Sequence, residues 1–106
     1  MSDRRIAQTF RLDTPTPNPF MKSVALTYTL PTTLYTCLNI YDASGRLVEV
    51  LVDGEQKPGV HTVLWSGHHH WIGKTRTLDK KVPSGIYFCR LTAGNYSATK
   101  KIIMVQ

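Results

Sequence analysis

An antiparallel β-sandwich of about seven strands is the fold this sequence predicts. Three observations lead there. Apolar residues recur with period two in short runs, and no segment repeats them at helical spacing over three turns. Clusters of Pro, Gly, Asn and Asp separate the runs, as turns do between paired strands. No crossover helix stands between strands, which excludes a parallel sheet. A chain of 106 residues suits one domain with one core.

Taken in order, "TFRL" (Thr9–Leu12) reads as a short first strand, with residues 1–8 as a loose tail and residues 9–106 as the domain. "DTPTPNPF" (Asp13–Phe20) has three prolines, which forbid helix and central strand, so it reads as an extended edge or crossover segment. "SVALTYTL" (Ser23–Leu30) alternates cleanly, placing Val24, Leu26, Tyr28 and Leu30 on one face, and Pro31 ends it. "LYTCLNIYD" (Leu34–Asp42) follows, with Leu38 and Ile40 inward and Cys37 on the opposite face. "DASGR" (Asp42–Arg46) reads as a hairpin turn closed by Gly45 in the left-handed conformation.

"LVEVLV" (Leu47–Val52) returns, and "DGEQKPG" (Asp53–Gly59) reads as a loop rich in turn formers. "VHTVLW" (Val60–Trp65) is a strand with His61, Val63 and Trp65 on one face. After a long basic segment closed by "PSG" (Pro83–Gly85) come a strand "IYFCRL" (Ile86–Leu91), a turn "TAGN" (Thr92–Asn95) and a final strand "YSATKKIIMV" (Tyr96–Val105). This many short antiparallel strands in about 100 residues has the size of an immunoglobulin-like domain.

Composition narrows the function classes. An apolar fraction of 42% with 19% charged residues fits a folded globular chain. No apolar run approaches the roughly 20 residues that cross a bilayer, so no membrane span is expected. The start, "MSDRRIAQTFRL", lacks the apolar segment of a secretory signal. The net charge of +6 is uneven: from Lys57 onward eight Lys/Arg face one acid, Asp79, whereas the first 56 residues carry five Lys/Arg and six acids. Such a basic half is expected to be a solvated surface. Cys37 and Cys89 fall short of a disulfide framework, and two reduced, partly buried thiols are expected.

The motifs together resemble a known module. "TPNPF" with "VALTYTLP", then "LNIYDASGRLVEVLVDGEQKPGVHTVLWSG", then "VPSGIYFCRLTAGNYSATKKIIMVQ" are similar to the immunoglobulin-like domain that ends flagellar hook-capping proteins (FlgD-like). Very similar modules end many large secreted bacterial proteins, where they are similar to the C-terminal sorting domains of type IX secretion. The resemblance spans Phe10 to Val105, and it rests on the order and spacing of the motifs. It implies a non-catalytic β-sandwich without cofactor: the C-terminal module of an exported bacterial protein, read by secretion machinery or attached at the cell surface. An assembly role in a filament or hook-cap scaffold, or an accessory sugar- or metal-binding role, are the alternatives it leaves open. Its partners would be proteins: secretion or assembly machinery and other domains of a longer precursor. In sorting domains the last hairpin is what the machinery reads, and that region maps here onto Gly85, Tyr87, Gly94, Asn95, Lys100 and Lys101.

The departure from the family is "HHHWIGKTRTLDKK", an enlarged connection between Gly67 and Pro83. For a metal, His68 and His70 would share a face of an extended segment, with His69 turned away and His61 remote. Imidazoles suit zinc, copper or nickel, but no Cys or carboxylate stands nearby to complete a ligand set, so no metal site is favoured. Lys74, Arg76, Lys80 and Lys81 beside Trp71 could neutralise phosphates, yet no nucleic-acid fold signature accompanies them and nucleic acid is not expected as a partner. Trp71 and Ile72 among these basic residues form a candidate protein-contact loop, the equal alternative being that Trp71 folds back to cap the sandwich. Ser66 and Ser84 flank glycines without a nucleophile elbow, and no phosphate loop or dinucleotide fingerprint occurs, so an enzyme is not expected.

Overall fold

The computed structural model describes residues 9–69 and 80–105. The strands are β1 (Arg11–Leu12), β2 (Val24–Leu30), β3 (Leu34–Asp42), β4 (Leu47–Gln56), β5 (Gly59–Trp65), β6 (His68–His69), β7 (Lys80–Lys81), β8 (Gly85–Ala93) and β9 (Tyr96–Met104). Seven of them build two antiparallel sheets, ordered β1-β2-β5 and β4-β3-β8-β9, packed together as a sandwich. β6 and β7 pair separately, His68 with Lys81 and His69 with Lys80.

Alternation puts the core where the sequence predicts it. Val24, Leu26, Tyr28 and Leu30 of β2 are all fully buried, as are Leu38 and Ile40 of β3. They meet Leu91, Ile102 and Met104 from β8 and β9. Each such side chain contributes about 1.5–3 kcal/mol by leaving water. An aromatic trio ties the two layers together. Trp65 of β5 meets Tyr87 of β8 edge-on at 5.5 Å, and Phe20 tilts onto the same indole at 5.6 Å.

The 42–46 hairpin forms as its sequence predicts. Asp42 N–H donates to the Arg46 carbonyl at 2.9 Å, and Gly45 N–H donates to the Asp42 carbonyl at 2.9 Å. Gly45 has φ of 90°, a conformation that penalises a Cβ. Gly94 is favoured by its φ of 58°, a left-handed conformation that penalises a Cβ.

Three expectations are corrected. The turn before β9 is only Gly94 and Asn95, because Thr92 and Ala93 stay in the β8 ladder opposite Ser97 and Tyr96. Residues 53–59 are not a loop, because β4 continues to Gln56 and leaves only Lys57 and Pro58 between β4 and β5. Polar residues suit this extension because Asp53 and Glu55 face outward on a sheet edge, while Gln56, on the other face, meets the hydroxyl of a core tyrosine. The Tyr35 hydroxyl donates to Asp53 Oδ1, and the Tyr28 hydroxyl donates to Gln56 Oε1 at 3.3 Å. The first strand is also shorter than Thr9–Leu12, with only Arg11 and Leu12 in the ladder.

The proline-rich segment is a strap. It leaves β1 along β2, where Asp13 N–H donates to Thr27 O at 2.9 Å and Thr16 bridges Ala25. It then crosses to the other sheet and runs parallel to the end of β9, with Phe20 opposite Met104. Phe20 N–H donates to Ile103 O, and Val105 N–H donates to Phe20 O, both at 2.9 Å. The Asn18 carboxamide extends this ladder. Its Nδ2 donates to Lys101 O at 3.0 Å and its Oδ1 accepts from Ile103 N–H at 2.8 Å. One side chain thus imitates a peptide group on the edge of β9, satisfying backbone groups that would otherwise face solvent.

Candidate functional site

At one end of the sandwich the β3–β4 turn and the start of β8 border a shallow surface depression of about 290 Å³, wide open to solvent. Asp42, Ser44 and Arg46 line it from the turn, and Ser84, Gly85, Ile86 and Tyr87 from β8 and its approach. Two motifs separated by some forty residues, "DASGR" and "PSGIY", therefore meet here because Asp42 is the register partner of Tyr87.

The carboxylate that lines this depression is engaged by the turn itself. Asp42 Oδ1 accepts from Ser44 N–H at 2.9 Å, from the Ser44 hydroxyl at 2.7 Å and from Arg46 N–H at 2.9 Å. Its Oδ2 accepts from Arg46 Nε at 3.1 Å. The Ser44 hydroxyl first, and then the backbone N–H of Arg46, hold this carboxyl down at about 2. A carboxylate so fully occupied is a weak proton acceptor near neutral pH, where a general base needs a higher pKa. It is a turn clamp.

Gly85 and Tyr87 do line this depression. Tyr87 is 5% exposed and its hydroxyl donates to Pro83 O at 2.7 Å, fixing the approach to β8. Burial pushes its pKa up, with Asp42 adding to the shift. Gly94 and Asn95 form the β8–β9 turn at the other end, nine residue steps along, or about 30 Å. Lys100 and Lys101 lie mid-strand on opposite faces of β9, Lys100 opposite the buried Cys89 and Lys101 opposite Phe88. The six residues mapped from the last hairpin thus fall along its whole length and do not converge on one pocket.

His61 is part of the packing. Its ring stacks on Tyr28 at 5.0 Å and 15°, and its Nε2 lies 2.7 Å from Lys57 O. Among the described residues no three His, Cys, Asp or Glu side chains are grouped to hold a metal ion. His70, Trp71, Ile72, Lys74 and Arg76 lie outside the described residues, and His68, His69, Lys80 and Lys81 are described through their backbone pairing alone. Cys37 and Cys89 are free thiols on neighbouring strands but on opposite faces of the sheet. Burial pushes the Cys89 thiol up to about 11. Burial also raises Cys37, helped by Asp53, whose Oδ1 lies 3.7 Å from its sulfur. Among the described residues no helix is long and apolar enough to cross a membrane.

Sequence reasoning missed the role of Asn18. Its signal was present in the proline-flanked "NPF", but nothing local says which strand edge the carboxamide meets. By fold the chain is an all-β, two-sheet antiparallel sandwich. No protein-family model and no curated protein matches it.

Proposed function

We propose that this domain is a non-catalytic C-terminal module of an exported bacterial protein, serving as its sorting or cell-surface attachment domain. What carries the reading is the ordered set of motifs from "NPF" to "TKKI", which resembles FlgD-like and type IX sorting domains. The placement of those motifs supports it. Asn18 and Phe20 strap the last strand, Trp65 and Tyr87 join the layers, and Gly45 and Gly94 close hairpins. Each motif thus helps to build a sandwich whose final strand, β9, lies at a sheet edge.

The test is export. Phe10–Gln106, fused behind a periplasm-targeted reporter in a bacterium with a type IX system, should deliver the reporter outside the cell. Retention of folded reporter in the periplasm overturns the reading. Lys100→Ala/Lys101→Ala should reduce delivery if the last hairpin is what the machinery reads.

A further inference from the structure

The chain enters and leaves the sandwich at opposite ends, along neighbouring parallel segments. Phe10 stacks on Tyr96, the first residue of β9, at 4.6 Å. Further along, Phe20 stands beside Met104, the last residue of β9, in a parallel bridge. The entering segment therefore runs the length of β9 in the same direction, about 26 Å at the usual rise of a strand. Its far end is fastened there by four hydrogen bonds: Asn18 Nδ2 to Lys101 O, Ile103 N–H to Asn18 Oδ1, Phe20 N–H to Ile103 O and Val105 N–H to Phe20 O. Nearer the entry, Asp13 and Thr16 fasten the same segment to β2. The Phe20 ring, 1% exposed and tilted onto Trp65, pins the strap into the core. All of these groups lie among the described residues.

We propose that the strap and β9 form a force-bearing clamp, so that the domain resists tension applied between its two ends. With the entry at one end and the exit at the other, a pull draws the two segments past one another along their own length. Bonds lying across such a pull share the load and fail together. Bonds at the tip of a peeling strand carry the load singly and fail in turn. The other flank of β9 is loaded in the same way. Its register with β8 is unbroken from Gly85–Met104 to Ala93–Tyr96, and it joins β8 at the entry end through Gly94 and Asn95. The source of the tension rests on the attachment reading above, in which β9 is held at a surface and the rest of a longer precursor pulls at the entry. The resistance itself is a property of this chain, so either can fail without the other.

The test is constant-force unfolding of single molecules of the full chain, held by handles at its first and last residues. For a second direction of pull, the C-terminal handle moves to Asn95→Cys in a Cys37→Ser background, where the remaining thiol, Cys89, is fully buried. Both handles then act at the entry end, and the strap is peeled away instead of sheared. Lifetimes under force report the unfolding rate, and at one force the chain should last at least about tenfold longer pulled end to end than pulled from Asn95→Cys. Asn18→Ala removes two of the four bonds between strap and β9, and should unfold about 5–30-fold faster end to end. Tyr87→Phe loses a bond of similar worth away from the strap, and should change the end-to-end rate by less than about twofold. Equal lifetimes in the two directions overturn the proposal. So does an end-to-end rate that Asn18→Ala leaves unchanged, or that Tyr87→Phe raises as much as Asn18→Ala does.

Discussion

Asn18→Ala removes one exposed side chain and leaves two backbone groups of β9 without protein partners: the Lys101 carbonyl and the Ile103 N–H. A net hydrogen bond contributes about 0.5–1.5 kcal/mol. Water can reach this edge, so the lower half of that range applies to each bond, and the loss should total about 1–2 kcal/mol. For a domain of this size the urea dependence is about 1 kcal/mol/M, so the unfolding midpoint should fall by about 1–2 M. The local readout is amide hydrogen exchange at Ile103, which should lose protection while Ile40, central in β3, keeps its own. Asn18→Asp separates the two bonds. It can still accept from Ile103 N–H but cannot donate to Lys101 O, so protection at Ile103 should persist although stability falls. An Asn18→Ala midpoint within about 0.3 M of the parent, with Ile103 exchange unchanged, would refute the idea that this carboxamide completes the ladder.

Asp42 is held well below the usual carboxylate range, so its contribution is present above about pH 4 and is lost as pH falls toward about 2. The stability gap between the parent and Asp42→Ala should therefore be open at neutral pH and close across that window, as followed by urea midpoints at several pH values. Tyr87→Phe keeps the contact with Trp65 but loses the bond to Pro83 O, and should cost about 1 kcal/mol in the same assay. In thiol labelling at neutral pH, Cys37 should react in the native protein, whereas Cys89, fully buried and pushed up to about 11, should react only on unfolding. Equal native rates for the two thiols would contradict the assigned faces.

The local sequence was enough for most of the strands and for their inward faces, though not for the length of β1, the end of β4 or the β6–β7 pair. In an extended chain successive side chains point to opposite sides, so "VALTYTL" and "LNI" state their burial locally. It determined the 42–46 hairpin for the same reason, since Asp42 and Gly45 act within five residues. The "DGEQ" segment misled because composition marks it as loop, while its ladder partners Leu34 to Cys37 lie on another strand.

Only the tertiary structure decided which edges are closed. The Asn18 bonds span 83 and 85 positions in sequence, and the Thr16–Ala25 and Phe20–Met104 bridges set the path of the strap between the sheets. It also brought "DASGR" beside "PSGIY". Local periodicity fixes which way a side chain faces. Which backbone edge finds a partner depends on how two sheets stack, and that is a property of the whole chain.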